Sequence, residues 1–172
     1  EGLFLSSGII RSPDDTMSDM IRIARSLRVE HGFKGYIHLK SIPEASHDLL
    51  KQAGLFADRL SINVELPTDS SMKRLAPQKQ PDGIRAAMAG FRQNRDASRE
   101  RSMTGKRPPR FAPAGQSTQM IVGADGANDR DILGTANQLY EGFKLKRVYY
   151  SAFSPIPESS AVLPLIKPPL IR

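Results

Sequence analysis

The residues able to do chemistry in this chain recur at every second position of short segments whose other positions are apolar. Asn63 and Glu65 share a face with Ser61 in Arg59-Leu-Ser-Ile-Asn-Val-Glu65. A carboxylate beside a carboxamide can hold a ribose diol or an amino group through paired hydrogen bonds. His38 and Lys40 alternate with Ile37 and Leu39, placing an imidazole that titrates near neutral pH beside an ammonium that can give a proton. Ser6-Ser7-Gly8 closes an apolar segment; a small-small-Gly turn lets backbone groups approach a ligand with no Cβ in the way. Gln116, Ser117 and Gln119 offer donors and acceptors to a purine edge or a carboxylate, Ile121 can flank a flat ring, and Gly123 ends that segment. Tyr149, Tyr150 and Ser151 add aromatic surface and hydroxyls. Each feature also has a plain structural reading: a βα turn for Ser6 to Gly8, a satisfied polar network for Asn63 and Glu65, a bonded core imidazole for His38, packing for the tyrosines. No P-loop, G-x-S-x-G elbow, H-E-x-x-H helix or metal triad occurs, which argues against conventional kinase and hydrolase chemistry.

Strands must position these residues, because only a period of two puts such sets on one face. The pattern predicts strands over 3–6, 35–40, 59–65, 117–123 and 146–152. Helices are predicted over 13–30, 45–53, about 69–100 and 128–143, with a loop at 101–115. Ser12 with Pro13 signals the start of the first helix and Gly32 its end; Gly54 is expected to close the second, and Asn128 to open the last. Strands alternating with helices give βαβ units and a parallel sheet. A doubly wound sheet, covered on both faces, reads as continuous Val, Ile and Leu; a polar stripe on every strand points instead to a lumen. The expected fold class is therefore α/β, a parallel (β/α) barrel arc, five strands of a partial (β/α)6 TIM-like barrel. Its chemistry is expected where the strands end. The barrel portion is assigned to 1–153, and the Pro-rich tail 154–172 is expected to lead into a further C-terminal region.

The chain has 172 residues, 39% of them hydrophobic, and a net charge of +7. Eleven Lys and Arg stand against three acids between Lys73 and Arg110, so the charge is regional and suggests contact with a polyanion. Arg92, Arg95 and Arg99 are spaced to share one helical face, and Arg101, Lys106, Arg107 and Arg110 follow; these seven are the candidate nucleic-acid contacts. There is no cysteine, which excludes thiolate metal sites within these residues, and no metal site is expected here. No run approaches the roughly 20 apolar residues of a membrane span, so no membrane partner and a cytoplasmic location are expected.

Six blocks in order, Gly2 to Ile9, Gly35 to Lys40, Asn63 to Pro67, Leu75 to Lys79, Phe111 to Met120 and Arg147 to Ala152, resemble a bacterial radical S-adenosylmethionine (SAM) family of DNA modification or repair proteins. The resemblance implies a partial (β/α)6 barrel with a 4Fe-4S cluster, an external electron donor and reductive cleavage of SAM to a 5′-deoxyadenosyl radical. The cluster ligands of such families are cysteines in a C-x-x-x-C-x-x-C loop, expected upstream of Glu1. Without them this chain alone is expected to be inactive. By the same resemblance Ser6, Ser7 and Gly8 match the motif that holds the methionine amino group, with Gly8 in place of its Glu. Asn63 and Glu65 fall near ribose and methionine. Gln119, Ile121 and Gly123 fall beside adenine, with Gln119 in place of a Gly, and Tyr149 to Ala152, including Ser151, near adenine or substrate. His38 and Lys40 complete the candidate cofactor-binding set, and a helix-hairpin-helix DNA-binding segment is expected after the barrel. The partner implied is DNA. The rival reading is a non-catalytic nucleic-acid-binding module built on a barrel arc.

Overall fold

The computed structural model describes residues 1–100 and 108–154. Its order is β1 (Gly2–Leu5), α1 (Pro13–Val29), β2 (Tyr36–Lys40), α2 (His47–Phe56), β3 (Arg59–Ser61), α3 (Asp69–Leu75), α4 (Pro81–Ala97), β4 (Gly115–Val122), α5 (Asp129–Phe143) and β5 (Arg147–Ala152). The five strands are parallel and stand in the sheet in sequence order. A doubly wound sheet reverses direction at a switch point. Crossovers of one hand that always step the same way instead lay their helices on one face. The helices follow that rule: α1 packs on α2, α2 on α4, and α4 on α5.

The two faces of the sheet differ as the alternation predicts. Ile37, Leu39, Leu60, Ile62 and Met120 are at most 1% exposed and meet Met17, Ala24, Ala53, Met88 and Phe91 of the helices in one core. The other face carries Tyr36, His38, Arg59, Ser61, Ser117, Gln119, Arg147 and Tyr149, in register across neighbouring strands.

Local chemistry sets the helix ends. Ser12 accepts from the Asp15 N–H ahead of Pro13 at the start of α1, and Gly32 takes a positive φ of 59° just past its end. Asn128 and Asp131 form a reciprocal capping box on α5. Gly54 does not close α2, which continues to Phe56. A Cβ at Gly54 would run into the Phe111 ring, so this glycine is a notch for an aromatic ring from beyond α4.

β3 ends at Ser61, well short of Glu65. Ser61 stands opposite Ser117 but Glu65 opposite Met120, four steps along one chain against three along the other, which is a bulge. Thr118 holds it: its hydroxyl donates to the Ile62 carbonyl at 2.7 Å and accepts from the Val64 N–H at 3.0 Å. Pairing resumes where the Glu65 N–H donates to Gln119 O and its carbonyl accepts from the Ile121 N–H.

Candidate functional site

A concavity of about 330 Å³ opens on the polar face, toward the carboxyl ends of the strands, where barrels of this kind do their chemistry. Phe4 and Ser6 line it from β1 and the turn after it, and His38 and Lys40 from β2. Ser61 and Asn63 come from the end of β3 and the bulge; Ser117, Thr118, Gln119 and Tyr149 come from β4 and β5. No acidic side chain lines it.

Two polar atoms at its wall are buried without a hydrogen-bond partner among the described residues, His38 Nε2 and Ser117 Oγ. Native proteins rarely leave such groups unmet away from functional sites. The His38 ring stands edge-on to Phe4, with centroids 4.8 Å apart. Burial first, and then the Arg59 guanidinium, push its pKa down to about 4, so at neutral pH the imidazole carries no charge and offers one donor and one acceptor. The sign of the pH dependence follows. Below about 6.5 the unfolded chain binds a proton that the folded chain refuses until about 4. Stability is therefore full above pH 6.5 and falls as pH drops toward 4. Discounted for partial exposure, the loss between pH 7 and 5 is about 1 kcal/mol. Denaturant melts of His38→Gln should show a flatter pH dependence than the parent by that amount; curves that stay parallel would refute it.

The other candidate residues divide. Gln119 Nε2 donates to Ser151 Oγ at 3.0 Å, joining β4 to β5 at the wall. Tyr149 is 39% exposed and lies under the Arg147 guanidinium, 5.6 Å from the ring centroid. Ile121, opposite Ser151, packs against the core edge. Gly123 follows β4 with a φ of 94°. Ser7 donates to the Gly8 carbonyl, and a Cβ on Gly8 would meet nothing within 4 Å, so no close approach requires glycine there. Glu65 leaves the alternation because of the bulge: its φ is 61° and its carboxylate accepts from Lys79 Nζ at 2.6 Å. It does not line the concavity. Gln116 faces the helices, donating to Met88 O and Phe143 O. The wall also includes Phe4, which the alternation passed over as apolar, and Thr118, whose signal lies only in its tertiary partners.

Four residues of the basic stretch are committed within the protein. Lys79 pairs with Glu65, Arg85 with Asp69, and Arg92 with Asp96 while donating to Gly142 O. Arg95 is only 7% exposed and packs against Gly115, which corrects the expectation that it faces a phosphate backbone. Arg99 lies beyond the last residue of α4, so the three arginines do not form one helical stripe. Arg110 is exposed. Arg101, Lys106 and Arg107 lie outside the described residues, as does the tail from Pro155 onward.

The donor set of the concavity suits a polar organic ligand with an aromatic part: hydroxyls, a carboxamide pair, a neutral imidazole and a tyrosine ring. It does not suit an iron-sulfur cluster, whose ligands are cysteine thiolates; the chain has none. Among the described residues no three His, Cys, Asp or Glu side chains come together as metal ligands would, and no helix is long and apolar enough to cross a membrane.

No protein-family model and no curated protein sequence matches the chain. Among solved structures it resembles coproporphyrinogen III oxidase (HemN) from Escherichia coli, described as a radical SAM enzyme, with a TM-score of 0.60 at 16% identity. The superposition covers 90% of this chain and 33% of HemN, so the chain spans about a third of that enzyme's length. By fold, the chain is an α/β arc of five parallel strands matching part of the TIM-like barrel of a radical SAM enzyme.

Proposed function

We propose that this chain is part of a radical SAM enzyme and that its concavity receives the adenosyl and methionyl parts of SAM. The observation that carries the reading is the concavity itself, at the strand ends of a HemN-like arc and lined by Asn63, Gln119 and Tyr149. In this reading Asn63 bonds the ribose, the Gln119 amide the adenine edge, and Tyr149 flanks the ring. SAM, when bound and reduced in enzymes of this class, supplies a 5′-deoxyadenosyl radical. The residues here bind and orient it and exclude water. The chain's own residues hold no cluster, so no step through one is assigned to them.

The test is calorimetric titration with S-adenosylhomocysteine, which needs no cluster. One equivalent should bind, and Asn63→Ala should weaken it by about 2- to 12-fold, the scale of a single neutral hydrogen bond. A folded protein that binds neither this compound nor SAM would overturn the reading. The coding sequence upstream of Glu1 gives a second check: a C-x-x-x-C-x-x-C loop there is expected.

DNA or a nucleotide as substrate is the finer part of the proposal and rests on the basic composition of residues 73–110. With Arg95 buried and Arg85 and Arg92 paired, the exposed Lys73, Arg74, Arg99 and Arg110 are left to meet phosphates. Each phosphate neutralised adds about −0.9 to the log-log salt slope, so anisotropy of labelled oligonucleotides across a salt series should fall steeply. A flat series would remove nucleic acid from the proposal.

A further inference from the structure

We infer that the floor of the lumen is an anion subsite, where Arg59, Arg147, Ser117 and His38 receive a phosphate or carboxylate group of a ligand other than the cofactor. Register brings these residues together. His38 stands opposite Arg59 across β2 and β3, and Ser117 opposite Arg147 across β4 and β5. Arg59 stands opposite Gly115, and its Nη2 donates to the neighbouring Ala114 O at 3.2 Å, which leaves its Nε free to turn to a ligand. β3 and β5 lie about 10 Å apart, two strand spacings, a span that two arginine side chains can close on one group.

Three atoms in this neighbourhood are buried without a hydrogen-bond partner among the described residues: Arg59 Nε, His38 Nε2 and Ser117 Oγ. Ser117 is 1% exposed, and it lines the concavity. All three can donate, since an arginine N–H and a hydroxyl do so and a neutral imidazole carries one N–H. Charge points the same way. Among the described residues neither arginine, nor Lys40 in the wall above them, makes an ion pair. The nearby acids are engaged elsewhere, Asp58 by Arg28 and the Ile37 N–H, and Glu65 by Lys79. Burial raises the pKa of the Tyr36 hydroxyl, and both guanidiniums oppose that rise while Asp58 adds to it, so the two arginines and the Arg28-bound Asp58 share that end of the lumen. Lys40 in an acid-free wall, with Arg59 and Arg147 two residues before Ser61 and Tyr149 on their strands, raises the local concentration of anions, and planar guanidiniums match oxyanion geometry.

The inference goes beyond the cofactor reading and can fail separately from it. The probes are inorganic pyrophosphate and acetate, titrated calorimetrically into the protein at low salt, with and without saturating S-adenosylhomocysteine. One pyrophosphate or acetate should bind per chain, and the stronger of the two identifies the group as phosphate-like or carboxylate-like. Ser117→Ala and Arg147→Gln should each weaken that binding by about ten- to hundredfold, the scale for hydrogen bonds to charged groups. Ser117→Ala should leave the melting temperature unchanged or raised, because it deletes a buried hydroxyl that has no partner in the free protein. Unchanged anion affinity in both variants, a lowered melting temperature in Ser117→Ala, or displacement of the anion by S-adenosylhomocysteine would each overturn a separate anion subsite. Anion binding without S-adenosylhomocysteine binding would overturn the cofactor reading and leave this one standing.

Discussion

Arg28→Met is expected to lower the unfolding free energy by about 3 kcal/mol, the lower end for breaking a buried ion pair, and the melting temperature by about 6–12 °C for a chain of this size. Arg28 sits in the last turn of α1 and fastens three chain segments at once. Its Nε donates to Phe56 O, its Nη1 to both Phe33 O and Gly35 O, and its Nη2 to Asp58 Oδ2 at 2.6 Å. Asp58 in turn accepts from the Ile37 N–H at 2.8 Å. One guanidinium thus ties the end of α1 and the end of α2 to the entry of β2 and the residue before β3. The pair is about three-quarters covered, with side-chain exposures of 21% and 29%, so its loss strands a carboxylate and three carbonyls in poorly hydrated surroundings. Arg28→Lys should recover little, because an ammonium cannot fork to four acceptors. Thermal melts by circular dichroism decide it, and a drop under about 3 °C would mean that the bonds are replaced by water at small cost.

Nothing local in the sequence marks Arg28 for that role. It stands in a helix with many charged residues, and its partners are up to thirty positions away. What was legible is what short-range physics fixes: alternation in β2 and β4, the Ser12 and Asn128 caps, and the polar stripe on the strands that favours an arc over a doubly wound sheet. His38, Lys40, Gln119 and Tyr149 line the concavity because the period of two carried them there, and Asn63 lines it from within the bulge. Glu65 does not, because the bulge inserts one residue between Ser61 and Glu65 and breaks the period. Arg95 misled for a similar reason. Composition counts it with the surface charge, while a glycine at 115 makes room for its side chain inside. Gly54 reads as a helix stop and is a notch for Phe111. In each case the deciding contact comes from another element, and no window of neighbouring residues contains it.

The bulge is where fold and site meet, and Thr118→Val is the substitution that separates them. Valine keeps the shape but not the hydroxyl, which is 1% exposed with its residue and answers two backbone groups, Ile62 C=O and Val64 N–H. These two groups flank Asn63, so the same oxygen that satisfies the bulge also aims the carboxamide into the concavity. Leaving a buried donor and an acceptor unmet costs about 1–3 kcal/mol for each group. Partial relaxation makes a total of about 2–4 kcal/mol the expected loss. Thr118→Ser retains the oxygen and should recover most of it, leaving only the missing methyl, about 1 kcal/mol. If Asn63 serves the ligand, Thr118→Val should weaken S-adenosylhomocysteine at least as much as Asn63→Ala does, and the double variant should be no worse than Thr118→Val alone, since both act through one side chain. Hydrogen exchange at Val64 gives an independent readout: its amide should lose protection in the valine variant and keep it in the serine variant. A valine variant as stable as the parent, with Val64 still protected, would show that the bulge is held by its flanking backbone bonds and that Thr118 is incidental to the site.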